Sequence, residues 1–196
     1  MNTALERMLP FLSMNTALVF VALALPLTTA AAAQTPPAPT MSSWLRGAFT
    51  SNRNYIARAA EKMPEELYGM RPGTQPEVRT FGQLIGHLAQ YNYLWCSQAK
   101  GEKNPGEGTD FERIASKAAL MKAVNDALAY CDGVYAALTD ASGQDVLTIT
   151  QENGRRTQSL RMGVLVLNYG HNTEHYGNVV SYMRMKDIVP PSSEPR

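Results

Sequence analysis

The chain contains only three histidines, and their spacing is typical of a metal site. His171 and His175 lie four positions apart, so on a helix their side chains project from one face, about 40° apart and one turn from each other. Two imidazoles placed in this way can bind one ion at the roughly 2.0–2.1 Å that is usual for zinc–nitrogen bonds. His87 can supply a third nitrogen if its helix is a neighbour. The sequence therefore predicts a metal site formed by His87, His171 and His175.

A site of this kind favours catalysis over a purely structural role for the ion. Three neutral imidazoles leave a coordination position open for water or a substrate atom. A divalent ion lowers the pKa of bound water or thiol, so metal-assisted hydrolysis and thiol transfer are the two expected reactions. Glu174 and Tyr91 are the nearest candidates for catalytic proton transfer, and support of the ligands or simple packing is the alternative for both. Imidazole suits several ions: we expect nickel or zinc, with iron and manganese as further options.

Other interpretations of the histidines stay open. A periplasmic bundle could bind or buffer a metal without catalysis, and core histidines could belong to a purely structural helical domain. Residues 171–175 also match the H-x-x-E-H signature of inverzincin proteases. Those proteases need another acidic ligand well downstream, whereas only 21 residues follow His175. We therefore expect this match to be accidental.

The N-terminus has the composition of a secretory signal peptide. A charged start precedes an apolar run over 14–27 and small residues over 30–33. The run is shorter than the about 20 residues that a spanning helix needs. We therefore expect a signal peptide over 1–33, a proline-rich tether over 34–41 and a secreted or periplasmic location. No membrane association is expected after cleavage.

The charge balance excludes two classes of partner. The chain carries 18 Lys and Arg against 17 Asp and Glu, a net charge of +1, and removal of the signal peptide leaves that balance unchanged. Such a chain has no strong positive electrostatic potential to attract phosphate groups. Neither nucleic acid nor an anionic membrane surface is therefore an expected partner. The expected substrate is an unidentified small molecule.

Four segments with apolar residues at helical spacing must position the histidines. The periodicity predicts helices over 44–63, 81–100, 116–138 and 162–184. Ser42 or Ser43 is expected to cap the first helix, which Pro64 ends. The pattern of Thr80 followed by Gln83 predicts a capping box at the start of the second helix. All three histidines fall inside predicted helices.

The pattern changes to that of strands between the third and fourth helices. Apolar and β-branched residues over 146–150 and 157–160 flank Asn153-Gly154, which favours a two-residue hairpin turn. We expect an all-α four-helix bundle over 42–190, with a small hairpin before the last helix. A short C-terminal tail is expected over 191–196. The pattern is compatible with several bundle topologies.

Cys96 and Cys131 are the only cysteines, and they fall on the second and third predicted helices. In an oxidising compartment they could form a disulfide, which would stabilise the fold by roughly 3–4 kcal/mol. Two buried free thiols are the equally weighted alternative. Cys96 lies nine positions from His87, about 180° around the helix, so we expect it to point away from the metal.

Two segments resemble the DinB/YfiT-like superfamily of metalloenzymes. Residues 78–89, V-R-T-F-G-Q-L-I-G-H-L-A, are similar to that family's second-helix histidine segment. Residues 171–178, H-N-T-E-H-Y-G-N, are similar to its fourth-helix pair, and the later Tyr182-x-Arg184 and Pro190-Pro191 to its closing motifs. The resemblance covers nearly all of 42–190.

This resemblance implies a four-helix bundle with a three-histidine site for a divalent metal, and frequent homodimers. It says less about the reaction. Some members of the superfamily are transferases that use the metal to activate a low-molecular-weight thiol, and others are isomerases that act with such thiols. The present chain resembles a secreted member of the group.

Overall fold

The computed structural model describes residues 38–151 and 153–195. Within these two ranges there are four α-helices and one two-stranded sheet. They are α1 (Met41–Lys62), α2 (Phe81–Lys100), α3 (Lys117–Ala137), β1 (Val146–Thr150), β2 (Arg156–Leu160) and α4 (Arg161–Arg184). The expected all-α bundle with a hairpin before the last helix is confirmed. The predicted signal peptide over 1–33 and the tether up to residue 37 lie outside the described residues.

Reciprocal side-chain caps begin the first two helices. In α2 the Thr80 hydroxyl accepts from the Gln83 N–H, and the Gln83 side chain accepts from the Thr80 N–H at 2.8 Å, which confirms the capping box. The expected cap of α1 at Ser42 or Ser43 is wrong. Thr40 is the cap and Ser43 its reciprocal partner, because these two residues have the capping-box spacing. The helix therefore begins inside the segment predicted as tether.

The order of packing brings the histidine-bearing helices together. Helix α2 packs against both α3 and α4, and α1 packs against the same two helices. Their apolar faces meet in one core, in which Phe49, Ile85, Leu128 and Leu165 are fully or almost fully buried. The condition on which the three-histidine site depends, that the second and fourth helices are neighbours, is met.

A disulfide joins α2 to α3. The Cα atoms of Cys96 and Cys131 are 5.4 Å apart, and both residues are fully buried. Of the two states that the sequence allowed for the cysteines, the structure has the bonded one. The bond ties the helix that carries His87 to α3, and the Cys96 sulfur also lies 3.9 Å from the Asn168 side chain of α4.

The hairpin has the expected strands and a different tip. Its register pairs Val146 with Leu160 and Thr150 with Arg156. The prediction of a two-residue turn at Asn153-Gly154 is wrong. The last hydrogen bond before the tip runs from the Gln151 N–H to the carbonyl of residue 155, at 2.9 Å. More than two residues lie between these two positions, so the loop is longer than predicted. Gly154 has φ 77°, the left-handed conformation that longer hairpin loops require of glycine.

Side-chain contacts anchor both ends of the hairpin to the bundle. The Gln98 amide of α2 donates to the Thr150 carbonyl at 3.1 Å and accepts from the Thr150 N–H. At the other end, Arg161 pairs with Asp145 at 3.0 Å and donates to the Ser142 carbonyl at 3.2 Å. The tip of the hairpin is therefore held beside α2 and the first half of α4.

The C-terminal segment predicted as a tail packs against α1 and α4. A short 3-10 turn spans Pro191–Ser193, and the Tyr176 hydroxyl lies 3.0 Å from the Ser192 hydroxyl. Glu194 pairs with Lys62 at 2.7 Å. Within residues 38–151 and 153–195, none of the helices combines the length and the apolar character that a membrane crossing needs.

Candidate metal centre

The three predicted ligands meet at one point. His87 projects from α2, and His171 and His175 project from α4. The Nε2 atom of His171 lies 3.1 Å from that of His87 and 3.1 Å from that of His175, and the three ligand atoms all lie within 4.8 Å of one another. His87 is buried, and the other two are half-buried. The structure brings together the residues that the sequence singled out.

These distances fit a divalent ion. Two nitrogens each about 2.05 Å from one ion stand about 2.9 Å apart at a right angle and about 3.3 Å apart at the tetrahedral angle. The observed 3.1 Å separations fall between these limits. Two of the three nitrogen pairs are therefore already spaced as one shared ion requires.

Electrostatics favour a cation between the rings. Burial, followed by the neighbouring histidines, lowers the pKa of His171 to about 3. Burial lowers the pKa of His87 to about 4 despite its bond to Glu112. Both rings are therefore neutral at pH 7 and offer lone pairs. A single N–H on His171 would have to serve two neighbouring nitrogens, whereas a cation meets all three at once.

Glu112 sets the tautomer of His87, and it was not predicted from the sequence. Its Oε1 lies 2.8 Å from His87 Nδ1. Arg79 Nε lies 3.0 Å from each Glu112 oxygen, and the Arg79 carbonyl accepts from the Tyr182 hydroxyl at 2.6 Å. Burial alone would raise the pKa of Glu112, but the bonds from Arg79 and His87 hold it below its usual value. A charged carboxylate only accepts, so Nδ1 carries the proton and Nε2 faces the metal position.

Gly86 is what allows Glu112 to reach His87. Glu112 lies in a short 3-10 turn, Phe111–Arg113, which rests directly on α2. A Cβ at Gly86 would lie 2.3 Å from the Phe111 carbonyl oxygen, so only glycine permits this approach. The turn lies in a non-periodic loop. The signal that could have found it is the glycine directly before His87 in an apolar helix, which indicates close backbone packing.

Buried amides hold α2 and α4 in register beside the triad. Asn92 and Asn172 exchange two side-chain hydrogen bonds, at 2.8 and 2.9 Å, and Asn168 donates to Asn92 at 3.2 Å. The Tyr135 hydroxyl of α3 donates to Asn168 at 2.9 Å. All three asparagines are buried with their polar groups bonded. Because Asn172 directly follows His171, this network fixes where the α4 histidines stand relative to His87.

Other side chains, including those of the predicted Tyr91 and Glu174, surround the triad at different depths. The ring of Tyr91 lies 4.4 Å from that of His87 and 4.7 Å from that of His171, centroid to centroid. The Asn178 amide lies 3.3 Å from His175 Nδ1. Glu174 is exposed and lines a cleft together with His171. A catalytic role of Glu174 and Tyr91 stays a prediction.

A cleft with a volume of about 720 Å³ opens beside His171. Its size falls in the range of small-molecule sites. It lies between the first half of α4, the end of α2 and the tip of the hairpin. Its lining residues are Trp95, Gln151, Asn153, Val166, Leu167, Gly170, His171 and Glu174. His171, one of the three candidate ligands, is the only histidine among these described lining residues, so a molecule in the cleft would lie against one residue of the candidate metal centre.

Fold and site together define a helical bundle with a candidate divalent-metal centre shared by two of its helices. The sequence model of the DinB superfamily matches residues 48–179, more than half of the chain, and the protein belongs to this superfamily.

Solved structures share this fold at low sequence identity. A DinB-like protein from Bacillus subtilis is 19% identical, with a TM-score of 0.60, covering 78% of this chain and 99% of that one. A DinB-like protein from Bacillus cereus ATCC 10987 is 17% identical, with a TM-score of 0.60, covering 75% and 93%. A mycothiol-dependent maleylpyruvate isomerase is 12% identical, with a TM-score of 0.55, covering 72% and 63%. No curated protein matches the sequence.

Proposed function

We propose that this protein is a secreted enzyme that depends on a divalent metal, nickel or zinc, held by His87, His171 and His175, and that it catalyses hydrolysis. The observation that carries the proposal is the convergence of three imidazole nitrogens, two of them on rings that are neutral at pH 7. A structural role for the histidines would not require all three Nε2 atoms to face one point. The cleft that His171 lines supports catalysis over storage of the ion, because it gives a substrate room beside one of the three ligands.

A divalent ion at this position would lower the pKa of bound water and stabilise negative charge that develops on a substrate. The protein's own residues supply the rest. Glu112 keeps the proton of His87 on Nδ1. Glu174 stands exposed beside His171 as a proton acceptor, and the Tyr91 phenol lies against two of the ligand rings as a proton donor. The apolar residues in the cleft lining would cover apolar surface of a bound substrate.

Thiol transfer is the second candidate reaction. It is favoured by the structural likeness to an isomerase that depends on mycothiol, a low-molecular-weight thiol that could enter the same cleft. The buried disulfide favours hydrolysis instead, because disulfides persist in oxidising compartments, where water is available and reduced thiols are scarce.

Metal titration tests the first part of the proposal. We expect protein stripped with a chelator to bind one zinc or nickel ion per chain in calorimetry, and His171→Ala to lose this binding. Tyr91→Phe is the matched control, because it removes a hydroxyl near the triad and leaves all ligands in place. Equal binding by wild type and His171→Ala would leave a structural helical bundle as the function.

Measuring substrate turnover distinguishes an enzyme from a protein that only binds a metal. Zinc- and nickel-loaded protein is assayed on a panel of esters and of thiol-transfer substrates. Glu174→Gln is expected to lower the rate about 10²- to 10⁴-fold, the usual contribution of a general base, with unchanged metal affinity. Metal binding without turnover on any substrate would favour a non-catalytic periplasmic binder.

The proposed location and assembly have separate tests. N-terminal sequencing of protein recovered from the periplasm is expected to begin after residue 32 or 33, and a chain that retains residues 1–33 would contradict secretion. Light scattering tests for the homodimer that is frequent among relatives.

A further inference from the structure

We infer that the disulfide between Cys96 and Cys131 regulates the candidate metal centre. Acting through Asn92, the bond holds the α4 histidines in place, so that the oxidised chain binds the ion more tightly than the reduced chain. This inference concerns the regulation of the proposed site and rests on the proposed function. It is carried by the contacts of the two sulfur atoms, by the hydrogen bonds of the buried asparagines that they touch, and by the place of those asparagines beside His171.

Both sulfur atoms touch side chains that join α2 to α4. Cys131 Sγ lies 3.3 Å from the Asn92 carbonyl oxygen and 3.5 Å from the Asn92 side-chain oxygen. Cys96 Sγ lies 3.9 Å from the side-chain oxygen of Asn168. All four residues are fully buried. Because protein interiors are close-packed and transmit strain, a displacement of either sulfur reaches the asparagine beside it.

Asn92 is the centre of a network that it forms with Asn168 and Asn172. Its side-chain nitrogen donates to the Leu88 carbonyl at 2.7 Å and to Asn172 at 2.8 Å. Its side-chain oxygen accepts from Asn172 at 2.9 Å and from Asn168 at 3.2 Å. Both donors and both acceptor positions of this amide are therefore in use. A shift of Asn92 strains its bonds to α4, in which Asn172 directly follows His171.

Reduction of the disulfide forces such a shift. Two bonded sulfur atoms lie about 2.05 Å apart, whereas non-bonded heavy atoms in contact lie roughly 3.5–4.0 Å apart. The two sulfurs must therefore separate by roughly 1.5 Å or more within a fully buried site. The Cys131 thiol also gains a proton, and the oxygens of Asn92 lie within its reach. It would compete with Asn168 and Asn172 for the Asn92 side-chain oxygen.

This regulation agrees with the proposed location of the protein. A disulfide forms and persists in an oxidising compartment, whereas a reducing cytoplasm keeps the two thiols apart. A chain that has not yet been exported would therefore bind the ion weakly. Export would complete the metal centre by forming the bond.

The zinc affinities of oxidised and reduced protein test the inference. The reduced form is made with a water-soluble phosphine: the disulfide gains two electrons and two protons, and the phosphine takes up the oxygen of one water molecule. Sucrose is added to both forms, because an excluded osmolyte favours the folded state, and circular dichroism checks folding. By chelator competition we expect the reduced form to bind zinc about tenfold more weakly, within the about 5- to 150-fold range of coupling between sites. Reduced His171→Ala reports any zinc that the new thiols bind alone.

Variants assign the effect to the asparagine network. Asn92→Ala is expected to bind zinc more weakly than wild type, and with equal affinity in its oxidised and reduced forms. Ile56→Ala is the matched control for lost stability. It truncates a fully buried side chain of α1, a helix that carries none of the cysteines, candidate ligands or network asparagines. We expect it to keep the zinc affinity and the redox effect of the wild type.

A reciprocal measurement uses the wild type alone and tests the inference if Asn92→Ala does not fold. Two glutathione molecules reduce the disulfide, each giving one electron and one proton, and are joined as oxidised glutathione. The glutathione ratio at which half of the protein is reduced measures the stability of the disulfide. When a chelator buffer holds free zinc high enough to saturate both forms, the disulfide should become harder to reduce by the same factor that separates the two zinc affinities.

The outcomes separate this inference from the proposed function. Equal or tighter zinc binding by the folded reduced form, a redox effect that survives in Asn92→Ala, or a glutathione midpoint that zinc does not move would each overturn the inference. Histidine-dependent zinc binding by the oxidised protein would stand in all three cases. Absence of that binding would overturn the proposed function itself.

Discussion

Removal of the Glu112 carboxylate is expected to weaken zinc binding although Glu112 is not a ligand. Its oxygen accepts from His87 Nδ1 at 2.8 Å, and the His87 side chain is only 6% exposed. Without this acceptor, the proton of His87 is free to move to Nε2, the atom that faces the metal position. Binding an ion would then require the tautomer to change back, and the ring would no longer be held in orientation.

The size of the effect follows from how much of the contact each variant removes. Loss of a hydrogen-bond partner behind a metal-bound histidine typically costs about 10- to 100-fold in affinity, or about 1.4–2.7 kcal/mol. Glu112→Gln keeps one acceptor oxygen and loses the charge, so we expect about a tenfold loss. Glu112→Ala removes the acceptor as well, so we expect about a hundredfold loss.

The assay pairs zinc affinity, measured by chelator competition at pH 7.5, with ¹⁵N chemical shifts that report the tautomer of His87 in metal-free protein. We expect the Nδ1–H form in wild type and a mixture in Glu112→Ala. Glu107→Ala is the control, because among the residues that the structure describes this exposed carboxylate pairs only with Lys103, at 3.1 Å. Unchanged zinc affinity in Glu112→Ala together with an altered tautomer would refute the reasoning. If Glu112→Ala folds poorly, the same two measurements on Glu112→Gln test the reasoning.

Three other perturbations have expected outcomes. Gly86→Ala would place a methyl group 2.3 Å from the Phe111 carbonyl oxygen, so we expect lower zinc affinity despite the better helix propensity of alanine; unchanged affinity would contradict the close packing. Replacement of both Cys96 and Cys131 by alanine opens a link across 35 residues; we expect urea unfolding to show a loss of about 4 kcal/mol. Metal-free protein should lose stability as the pH falls below 6.5, because the unfolded chain binds protons there while two folded histidines have pKa values of about 4 and about 3; equal urea midpoints at pH 7 and pH 5 would be inconsistent with this.

The periodic parts of the molecule were predictable from the sequence. The helices follow from apolar residues at helical spacing, and the capping box of α2 follows from Thr80 and Gln83. The triad follows from two histidines four apart and a third on another amphipathic segment. These features are local, since each depends on spacing within one helix, and only the adjacency of α2 and α4 had to be assumed.

Features that depend on docking between distant segments were not predictable. Glu112 reaches His87 across 25 positions of the chain, and it does so because a loop without periodicity rests on Gly86. In the sequence, Asn92 and Asn172 are polar residues within predicted helices. They are nevertheless buried, because their side-chain amides are hydrogen-bonded to each other. The pairing of Cys96 with Cys131 likewise required the relative rotation of α2 and α3, which their own sequences do not specify.

The hairpin is attached to α2 in a way that leaves the side chains at its tip independent of the helices that carry the three histidines. The Gln98 side chain forms its two hydrogen bonds with main-chain atoms of Thr150. These bonds therefore do not depend on which side chains follow in the tip. The three histidines of the candidate metal centre stand on α2 and α4, whereas the side chains at the tip over the cleft take no part in the bonds between Gln98 and Thr150. We therefore expect a scaffold organised in this way to accept other loop sequences at the hairpin tip while the positions of its three histidines stay unchanged.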